Sequence, residues 1–510
     1  MTPRDNSDET RQRLASMQPM PEDLPEAAAE PPGAIKAGSL VGRSLPMAIW
    51  LLAAPILVQQ FLAACVGLAD KVMAGGLPDW VVLPAMDAIG IGSYVGWFIG
   101  IAASGIGIGG QALIARAMGS GDRDLAHRVL GQSMVLAGAW GILVGIALWF
   151  AASPLAILTE LSDEASVYLV QYIRVLSIAM PACCIMNAGA MALHGSGDTL
   201  RPALVTAAVN VVNVIVSLVL SGADIRLGET TVINPWSWDL HVIGIATGTA
   251  AAYVVGAVLI VAVLFRGVKD LRLRWADMRL DLSVIGRVAR IGIPNFLEGI
   301  SMWTANLFVL QFIGQVSAQM AVRMGSDEPV MEGLQGANII AAQWESFSFL
   351  PGFAIGVSAG TLAGQFLGAG DRRRARLAVL ACTGIAIIVM GSLGVAMMLF
   401  GRDLTLVISD MPIHMAIVPA LLLIGGASQP AFAVMMVMRQ ALLGTGDTTW
   451  TFILTTVSSY GVRLPLAWYL GIHLEWGLIG IWFALCGEIL VRATFFFGRF
   501  MQGGWAVRAL

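Results

Sequence analysis

The stretch GSGDT at residues 195–199 returns as GTGDT at residues 444–448, and GSGD at residues 119–122 returns as GAGD at residues 368–371. Both pairs are separated by the same 249 residues (447 − 198 and 371 − 122), about half of the 510-residue chain. Two independent pairs at one spacing indicate that a unit of several helices was duplicated, and that the copies keep one register. The sequence therefore predicts two halves of one architecture.

The composition places these halves in a lipid bilayer. Apolar residues make up 57% of the chain and charged residues only 12%, whereas soluble domains carry about 25% charged residues. Runs of about 20 apolar residues, the length that crosses a bilayer core, recur along most of the sequence. Barrel strands would instead alternate polar and apolar residues over about ten positions. The sequence therefore predicts an all-α polytopic membrane protein.

Charged, Gly and Pro breaks divide the apolar runs into twelve predicted transmembrane helices. We predict six in an N-lobe, residues 43–265, and six in a C-lobe, residues 288–510, joined by a cytosolic linker at residues 266–287. Residues 1–42 are rich in Pro, Glu and Ala and are predicted to form a disordered cytosolic tail. The predicted spans are Leu45–Gly75, Ile89–Ala115, Val129–Ala152, Val167–Leu193, Pro202–Leu220, Val242–Phe265, Val288–Ile313, Ala337–Leu367, Leu377–Phe400, Ile413–Leu442, Trp450–Leu470 and Gly477–Phe500.

The distribution of basic residues orients these spans. With both termini in the cytosol, the predicted cytoplasmic loops between spans hold 14 Lys and Arg residues and the outer loops hold three. This asymmetry is the one that the positive-inside rule requires. All four G-x-G-D motifs then lie in cytoplasmic loops.

The G-x-G-D motifs have the pattern of tight turns between helices. A Gly just past a helix end adopts the left-handed conformation at little cost, and the following Asp can cap the next helix. No strand precedes any copy, which excludes a phosphate-binding loop. We predict a structural role for the four acids, with a direct role in binding or gating as the alternative: Asp122, Asp198, Asp371 and Asp447.

Longer stretches around the motifs resemble the multidrug and toxic compound extrusion (MATE) family of transporters. GGQALIARAMGSGDRDLAHRV (109–129) and GTLAGQFLGAGDRRRAR (360–376) resemble the ends of the family's spans 2 and 8. ALHGSGDTLRPALVTAAVNVVNVIV (192–216) and ALLGTGDTTWTFILTTVSSYGVRLPLAWYL (441–470) resemble its span 4–5 and span 10–11 regions. With the first span, LPMAIWLLAAPILVQQFLAACVGLADKVMAGGL (45–77), the resemblance covers nearly the whole chain.

The resemblance implies twelve transmembrane helices in two pseudo-symmetric six-helix lobes. It implies a secondary active antiporter, not an enzyme, that exports organic cations or drug-like solutes in exchange for H+ or Na+ by alternating access. We expect a monomer in the bilayer, in the cytoplasmic (inner) membrane if the source is prokaryotic. We expect no cofactor beyond the coupling ion, H+ or Na+, and no nucleic acid partner.

Polar residues in the N-lobe spans are candidates for a cation-coupling site. Asp70 lies near the outer end of span 1, where a buried carboxylate of alternating exposure could bind and release a proton. Asn210 and Asn213 share one face of span 5, and Thr249 in span 6 could complete the cluster. By resemblance, Asp70 and the Asn pair match the family's cation site, but Ser217 stands where one branch has a second Asp, which favours H+. The alternative roles are an interfacial Asp70 and interhelical hydrogen bonds.

Acidic residues in the C-lobe predict a second polar site. Glu298 and Glu345, in spans 7 and 8, have no acidic counterpart in the first half, so we predict that they bind substrate or a coupling ion. The alternative is a structural pair with an intramembrane arginine. Glu488 and Arg492 lie one helical turn apart, so we predict a structural pair, with Arg463 as another partner for the acids.

Two other functions remain as alternatives. Export of a lipid-linked or polysaccharide precursor would favour a more cationic cavity than the few intramembrane arginines indicate. A membrane-embedded transferase would need a cluster of acids or histidines at a membrane face, whereas the five histidines are scattered. The five cysteines lie in apolar runs without a C-x-x-C pair, so the sequence predicts neither a disulfide framework nor a metal site.

Overall fold

The computed structural model describes residues 40, 42, 44–159, 161–227, 230–236, 238–323 and 333–506, so most of the predicted tail at 1–42 lies outside the described residues. The described chain forms the predicted twelve long helices. Eleven of them are individually long and apolar enough to cross a membrane, and the twelfth, α11, is divided by changes of winding. In chain order they are α1 (Leu45–Gly75), α2 (Asp79–Ser120), α3 (Arg123–Leu158), α4 (Asp163–Ser196), α5 (Leu200–Ser221), α6 (His241–Arg266), α7 (Leu282–Arg323), α8 (Leu334–Gly368), α9 (Arg372–Leu399), α10 (Pro412–Gly444), α11 (residues 448–473) and α12 (Gly477–Gln502).

The winding of α11 changes three times along its length. It is α-helical at Thr448–Ser458 and Leu464–Trp468, and π-helical at Ser459–Arg463 and Tyr469–His473. Pro465 has no N–H to donate to the carbonyl four residues earlier, so regular α-helical bonding cannot continue through this point. Single π turns of this kind occur frequently at functional sites.

The two halves of the chain form two lobes with largely separate cores. One large cluster of buried apolar side chains consists mainly of α1–α6 residues, and two others consist mainly of residues from α7–α12. The beginning of α1 is an exception, because Ala48, Ile49 and Leu52 pack in a C-lobe cluster. The first helix therefore contributes to both lobes.

The lobes meet closely along α2 and α8 on the face that carries the G-x-G-D turns. A Cβ atom added at Gly119 would lie 1.9 Å from the backbone oxygen of Gln365, and one at Gly368 would lie 2.0 Å from that of Arg116. The Gln365 amide also donates to the backbone oxygen of Gly195 across the lobes, at 2.9 Å. Only glycine fits at the two contact positions, so this seam between the lobes is tightly closed.

The predicted linker at 266–287 is ordered and shorter than predicted. It contains one turn of 3₁₀ helix, Trp275–Met278, and α7 already begins at Leu282. The Gln132 side chain of α3 donates to the backbone oxygens of Asp277 (2.7 Å) and Arg279 (2.6 Å). The linker is therefore fastened to the N-lobe.

Two features of the opposite face differ from the sequence prediction. Helix α7 continues to Arg323, ten residues past its predicted end, so the first part of the predicted loop 314–336 is helical, and residues 324–332 lie outside the described range. A short antiparallel hairpin, β1 (Ile225–Leu227) and β2 (Thr230–Val232), lies between α5 and α6. The extension of α7 was missed because a helix can continue beyond the apolar run that crosses the bilayer.

Candidate functional site

The four G-x-G-D turns share a backbone conformation, but the four acids do not share a role. The second glycine of each copy is left-handed, with φ between 79° and 86°. Asp122, Asp198 and Asp371 accept hydrogen bonds from the backbone N–H three residues later, at 2.9, 3.2 and 2.8 Å. The Asp447 side chain makes no such cap and instead accepts a 2.8 Å hydrogen bond from Arg499. The four turns therefore share one backbone conformation, but the Asp447 side chain has a different kind of partner from the other three.

Asp70 lies in a buried polar cluster built from four helices of the N-lobe. The residue is 4% exposed. Its carboxylate accepts hydrogen bonds from Tyr172 of α4 (3.2 Å), Asn213 of α5 (3.3 Å) and Thr249 of α6 (3.2 and 3.1 Å to its two oxygens). Asn213 also donates to Thr249 at 2.9 Å. Within the described residues, every one of these partners is uncharged.

The predicted site residue Asn210, and Ser217 at the position where one branch of the family has an acid, both bond to backbone oxygens instead of Asp70. The Asn210 amide donates to the backbone oxygen of Thr206 on its own helix at 2.9 Å, and so it does not join the Asp70 cluster. Ser217 donates to the backbone oxygen of Ile245 at 3.3 Å. Three helical positions turn a side chain by about 300°, so Asn210 and Asn213 share a broad face but only one of them reaches the carboxylate.

Glu298 forms a buried ion pair in the C-lobe. Its carboxylate accepts bonds from Arg439 of α10, at 2.6 Å from Nε and 3.1 Å from Nη2. Thr455 of α11 adds a third hydrogen bond at 2.8 Å. Glu298 therefore forms the structural pair with an intramembrane arginine that the sequence left as the alternative. Both of its carboxylate oxygens already accept hydrogen bonds.

Glu488 is the centre of a second and more heavily bonded cluster. It is fully buried and accepts two bonds from Arg492 (2.6 and 2.5 Å), two from Arg463 (3.2 and 2.8 Å) and one from Ser458 (2.6 Å). The π turn that ends at Arg463 brings that side chain to α12. One carboxylate therefore serves two guanidinium groups.

Glu345 of α8 differs from both neighbouring acids. It forms neither a hydrogen bond nor an ion pair within the described part of the chain, although it lines the same cavity as Glu298, Arg463 and Arg492. An unpaired carboxyl group in a membrane-spanning helix is costly to keep in place for packing alone. The structure therefore separates the two predicted C-lobe acids: Glu298 is paired, and Glu345 is available.

The cavity lies between the lobes and is mostly a C-lobe feature. Its volume is about 460 Å³, and among the described residues of the N-lobe it is lined by three, all on α2. Aromatic side chains form much of its wall; Phe349 stacks on Phe353 with ring centroids 5.7 Å apart and lies 6.3 Å from the Phe432 ring. A concave apolar site with a few convergent polar groups is the usual form of a small-molecule site.

Comparison with known sequences explains this arrangement of two related halves. The sequence profile of the MatE family matches residues 55–219 and again residues 304–469. The two matches begin 249 residues apart (304 − 55), which is the offset of the repeated turns. The chain belongs to the MatE (MATE) family. Members of the MATE family are membrane transporters of small molecules and include multidrug efflux proteins.

The relatives cover nearly the whole MATE chain at low identity. A probable multidrug resistance protein NorM from Thermotoga maritima is 25% identical over 459 residues, covering 90% of this chain and 93% of the relative. Multidrug resistance protein PmpM from Pseudomonas aeruginosa is 25% identical over 448 residues, covering 84% and 86%. The family assignment therefore applies to both lobes and not to one half.

Solved structures show the same fold. A MOP superfamily transporter from Pyrococcus furiosus superposes with a TM-score of 0.79 at 20% identity, covering 92% of this chain and 98% of that one. A multidrug resistance MATE transporter in an outward-facing conformation gives the same TM-score, identity and coverage. At this identity the likeness supports the fold alone.

Sequence reasoning missed several members of both sites in this MATE protein. Tyr172 lies in a span for which only aromatic packing would be expected, and nothing in its spacing pairs it with Asp70. Thr455 and Ser458 lie within one turn of each other on α11 and donate to different acids. Pro465, which ends the regular winding beside Arg463, was the one available signal that this arginine lies at a special position.

Proposed function

We propose that this MATE protein is a secondary active antiporter that exports organic cations or other drug-like solutes in exchange for H+. The observation that carries the proposal is the Asp70 cluster, a buried carboxylate in a membrane-spanning helix held only by Tyr172, Asn213 and Thr249. Because the partners are uncharged, protonation of Asp70 removes its charge without leaving an opposite charge unpaired. Such a carboxylate can load and release a proton in each cycle.

The donor pattern around Asp70 favours a proton over Na+. Asn213 directs its N–H₂ group, and not the Oδ1 that a metal cation would need as a ligand, at the carboxylate and at Thr249; that Oδ1 has no hydrogen-bond partner among the described residues. Ser217, at the position where a second acid would strengthen a Na+ site, bonds to the backbone instead. The cluster therefore supplies one carboxylate and mainly donors, which suits an acid that changes its protonation state.

Alternating access requires a seam that can open and close. We assign the basic G-x-G-D face to the cytosol, with both termini, and place the protein as a monomer in the inner membrane, as expected for relatives from bacteria. The tight α2–α8 contact is then the cytosolic seam. Its opening would separate Gly119 from Gln365 and break the hydrogen bond to Gly195.

A flippase for a lipid-linked precursor is the second candidate, because the cavity contains more arginine than the sequence indicated. Arg439, Arg463 and Arg492 all line it. Each nevertheless contacts a carboxylate, and the 460 Å³ volume suits a drug-sized solute. We therefore favour small solutes.

Everted membrane vesicles with imposed ion gradients test the proposal. The probes are ethidium, an aromatic cation, and ciprofloxacin, an aromatic zwitterion, and vesicles without the protein are the control. We expect uptake of at least one probe when the vesicle interior is acidic, and no uptake under an equal Na+ gradient. Uptake driven by Na+ alone would contradict the H+ assignment, and uptake that ignores both gradients would contradict antiport.

A further inference from the structure

The charged side chains around the cavity balance only when all of them are counted together. Glu298 and Arg439 form a one-to-one pair. Glu488 instead lies between two guanidinium groups, Arg463 and Arg492, so that cluster has one positive charge in excess. Glu345 supplies one negative charge to the same cavity; it interacts electrostatically with Arg463 but forms no salt bridge with it among the described residues. The cavity therefore presents one excess positive and one excess negative charge that do not contact each other.

The positive cluster also has unused hydrogen-bond donors. A guanidinium has five N–H groups. Arg463 uses Nε and Nη2 on Glu488 and Nη1 on Asn306, and Arg492 uses Nε and Nη2 on Glu488 and Nη1 on the sulfur of Met302. Two N–H groups of each guanidinium thus have no acceptor among the described residues.

Glu488 and Glu298 cannot accept further hydrogen bonds from these N–H groups or bind a second cation. Both oxygens of Glu488 already accept five hydrogen bonds in total. Both oxygens of Glu298 are bonded as well. A solute with a positive charge alone would have to compete with Arg463 for Glu345, and it would leave the excess charge of the Arg463 cluster uncompensated.

We propose that the Arg463–Arg492 cluster of this cavity is an anion-binding subsite that takes the carboxylate of a transported solute. This inference rests on the transport function proposed above. The acidic group of the solute, a carboxylate, contacts the free N–H groups of the two arginines, and its ammonium group contacts Glu345. The aromatic body packs against the Phe349, Phe353 and Phe432 wall.

A solute bound in this way gives a partner to the unused N–H groups of the two arginines and to the Glu345 carboxylate. A carboxylate matches the fork geometry of a guanidinium better than any other common organic group. Its charge offsets the excess positive charge of the cluster, and the ammonium group offsets Glu345. The described volume of about 460 Å³ lies within the range for drug-sized ligands.

A matched pair of ligands tests the anion subsite directly. Ciprofloxacin carries a carboxylate and an amine on an aromatic system, and its methyl ester keeps the amine and the ring but lacks the carboxylate. Binding of each to the purified full-length protein in detergent is measured through ligand fluorescence. We expect the acid to bind at least about tenfold more tightly than the ester, the ratio for one charge-assisted hydrogen bond.

Substitution of one arginine then locates the subsite. Arg463→Gln leaves Glu488 paired with Arg492 and removes the excess positive charge, so we expect the acid-to-ester ratio to fall to about twofold or less. Arg402→Gln, at an exposed position outside the cavity, is the matched control and should keep the wild-type ratio. If Arg463→Gln does not fold, Arg463→Lys keeps the charge, loses the fork and should lower the ratio partly.

The ratio of acid binding to ester binding decides whether the anion subsite exists. An ester that binds as tightly as the acid, a ratio that survives in Arg463→Gln, or no binding of either ligand would overturn the anion subsite. Binding in detergent needs no ion gradient, so it separates this inference from the proposed antiport. A tenfold ratio without gradient-driven uptake would overturn antiport alone, and gradient-driven uptake with a ratio near one would overturn the subsite alone.

Discussion

The buried acids of the two lobes are held by different kinds of partner. Among the described residues, the partners of Asp70 in the N-lobe are hydroxyl and amide groups, whereas Glu298 and Glu488 in the C-lobe are bonded to arginines. An arginine partner fixes a carboxylate in its charged form, because protonation would leave the guanidinium buried and unpaired. Uncharged donors impose no such penalty. The N-lobe acid can therefore change its charge at a lower cost than the paired acids that line the C-lobe cavity.

The internal repeat shows how this difference arose. Asp70 corresponds to Val309 in the second half when Pro55 of α1 is matched with Pro294 of α7, an offset of 239 residues that is ten shorter than that of the turns (294 − 55 and 309 − 70). Val309 is buried and lines the cavity. The second half therefore has an apolar residue at the position of the N-lobe acid, and it has acquired its own acids elsewhere on α7, α8 and α12.

The largest expected effect on stability comes from removing the acid that serves two arginines. Glu488→Gln leaves Arg463 and Arg492 buried without a counter-charge, and we expect a loss of about 3–5 kcal/mol in the free energy of unfolding. Thermal unfolding in detergent measures it. Glu345→Gln is the matched control, because Glu345 has no ion-pair partner among the described residues, and it should cost less than about 1 kcal/mol. Equal losses in the two variants would contradict the division between paired and available acids.

A smaller effect is expected from removing one uncharged partner in the N-lobe. Thr249→Val keeps the shape of the side chain and removes a hydroxyl that contacts both oxygens of Asp70. We expect gradient-driven efflux to fall at least about tenfold, since a hydrogen bond to a charged group contributes about 1.5–3 kcal/mol.

The matched variant for that experiment lies in the C-lobe. Thr455→Val removes the hydroxyl that donates to Glu298, which keeps both of its bonds to Arg439. Efflux rates measured in the same vesicles should change by less than about twofold. A larger loss for Thr455→Val than for Thr249→Val would show that the coupling acid lies in the C-lobe.

The fold was predictable from the sequence because its determinants are local or periodic. Apolar runs set the twelve helices, and the 249-residue register set the two halves. The left-handed glycines of the turns followed from the G-x-G-D pattern itself. The bounds of α7 differ from the predicted ones at both ends, and its start depends on a linker whose backbone is held by distant contacts such as those of Gln132.

The sites were predictable only in part, because side-chain pairing depends on distant helices. Asp70, Asn213 and Thr249 were placed together correctly, but the sequence could not tell that Asn210 bonds to its own helix. Glu488 with Arg492 followed from helical spacing, whereas Arg463 reaches the same acid through an irregular turn. The distinction between paired Glu298 and available Glu345 required the packing of α8, α10 and α11 around one cavity.

The central claim is that ion coupling resides in the N-lobe acid and solute recognition in the C-lobe cavity. The most direct test compares ciprofloxacin transport by Asp70→Asn and Glu345→Gln vesicles with and without an imposed pH gradient. We predict that Asp70→Asn loses the stimulation by the gradient but still exchanges ciprofloxacin across the membrane in counterflow. Glu345→Gln should keep the stimulation while requiring more solute for half-maximal transport. Stimulation that survives in Asp70→Asn and disappears in Glu345→Gln would contradict the account.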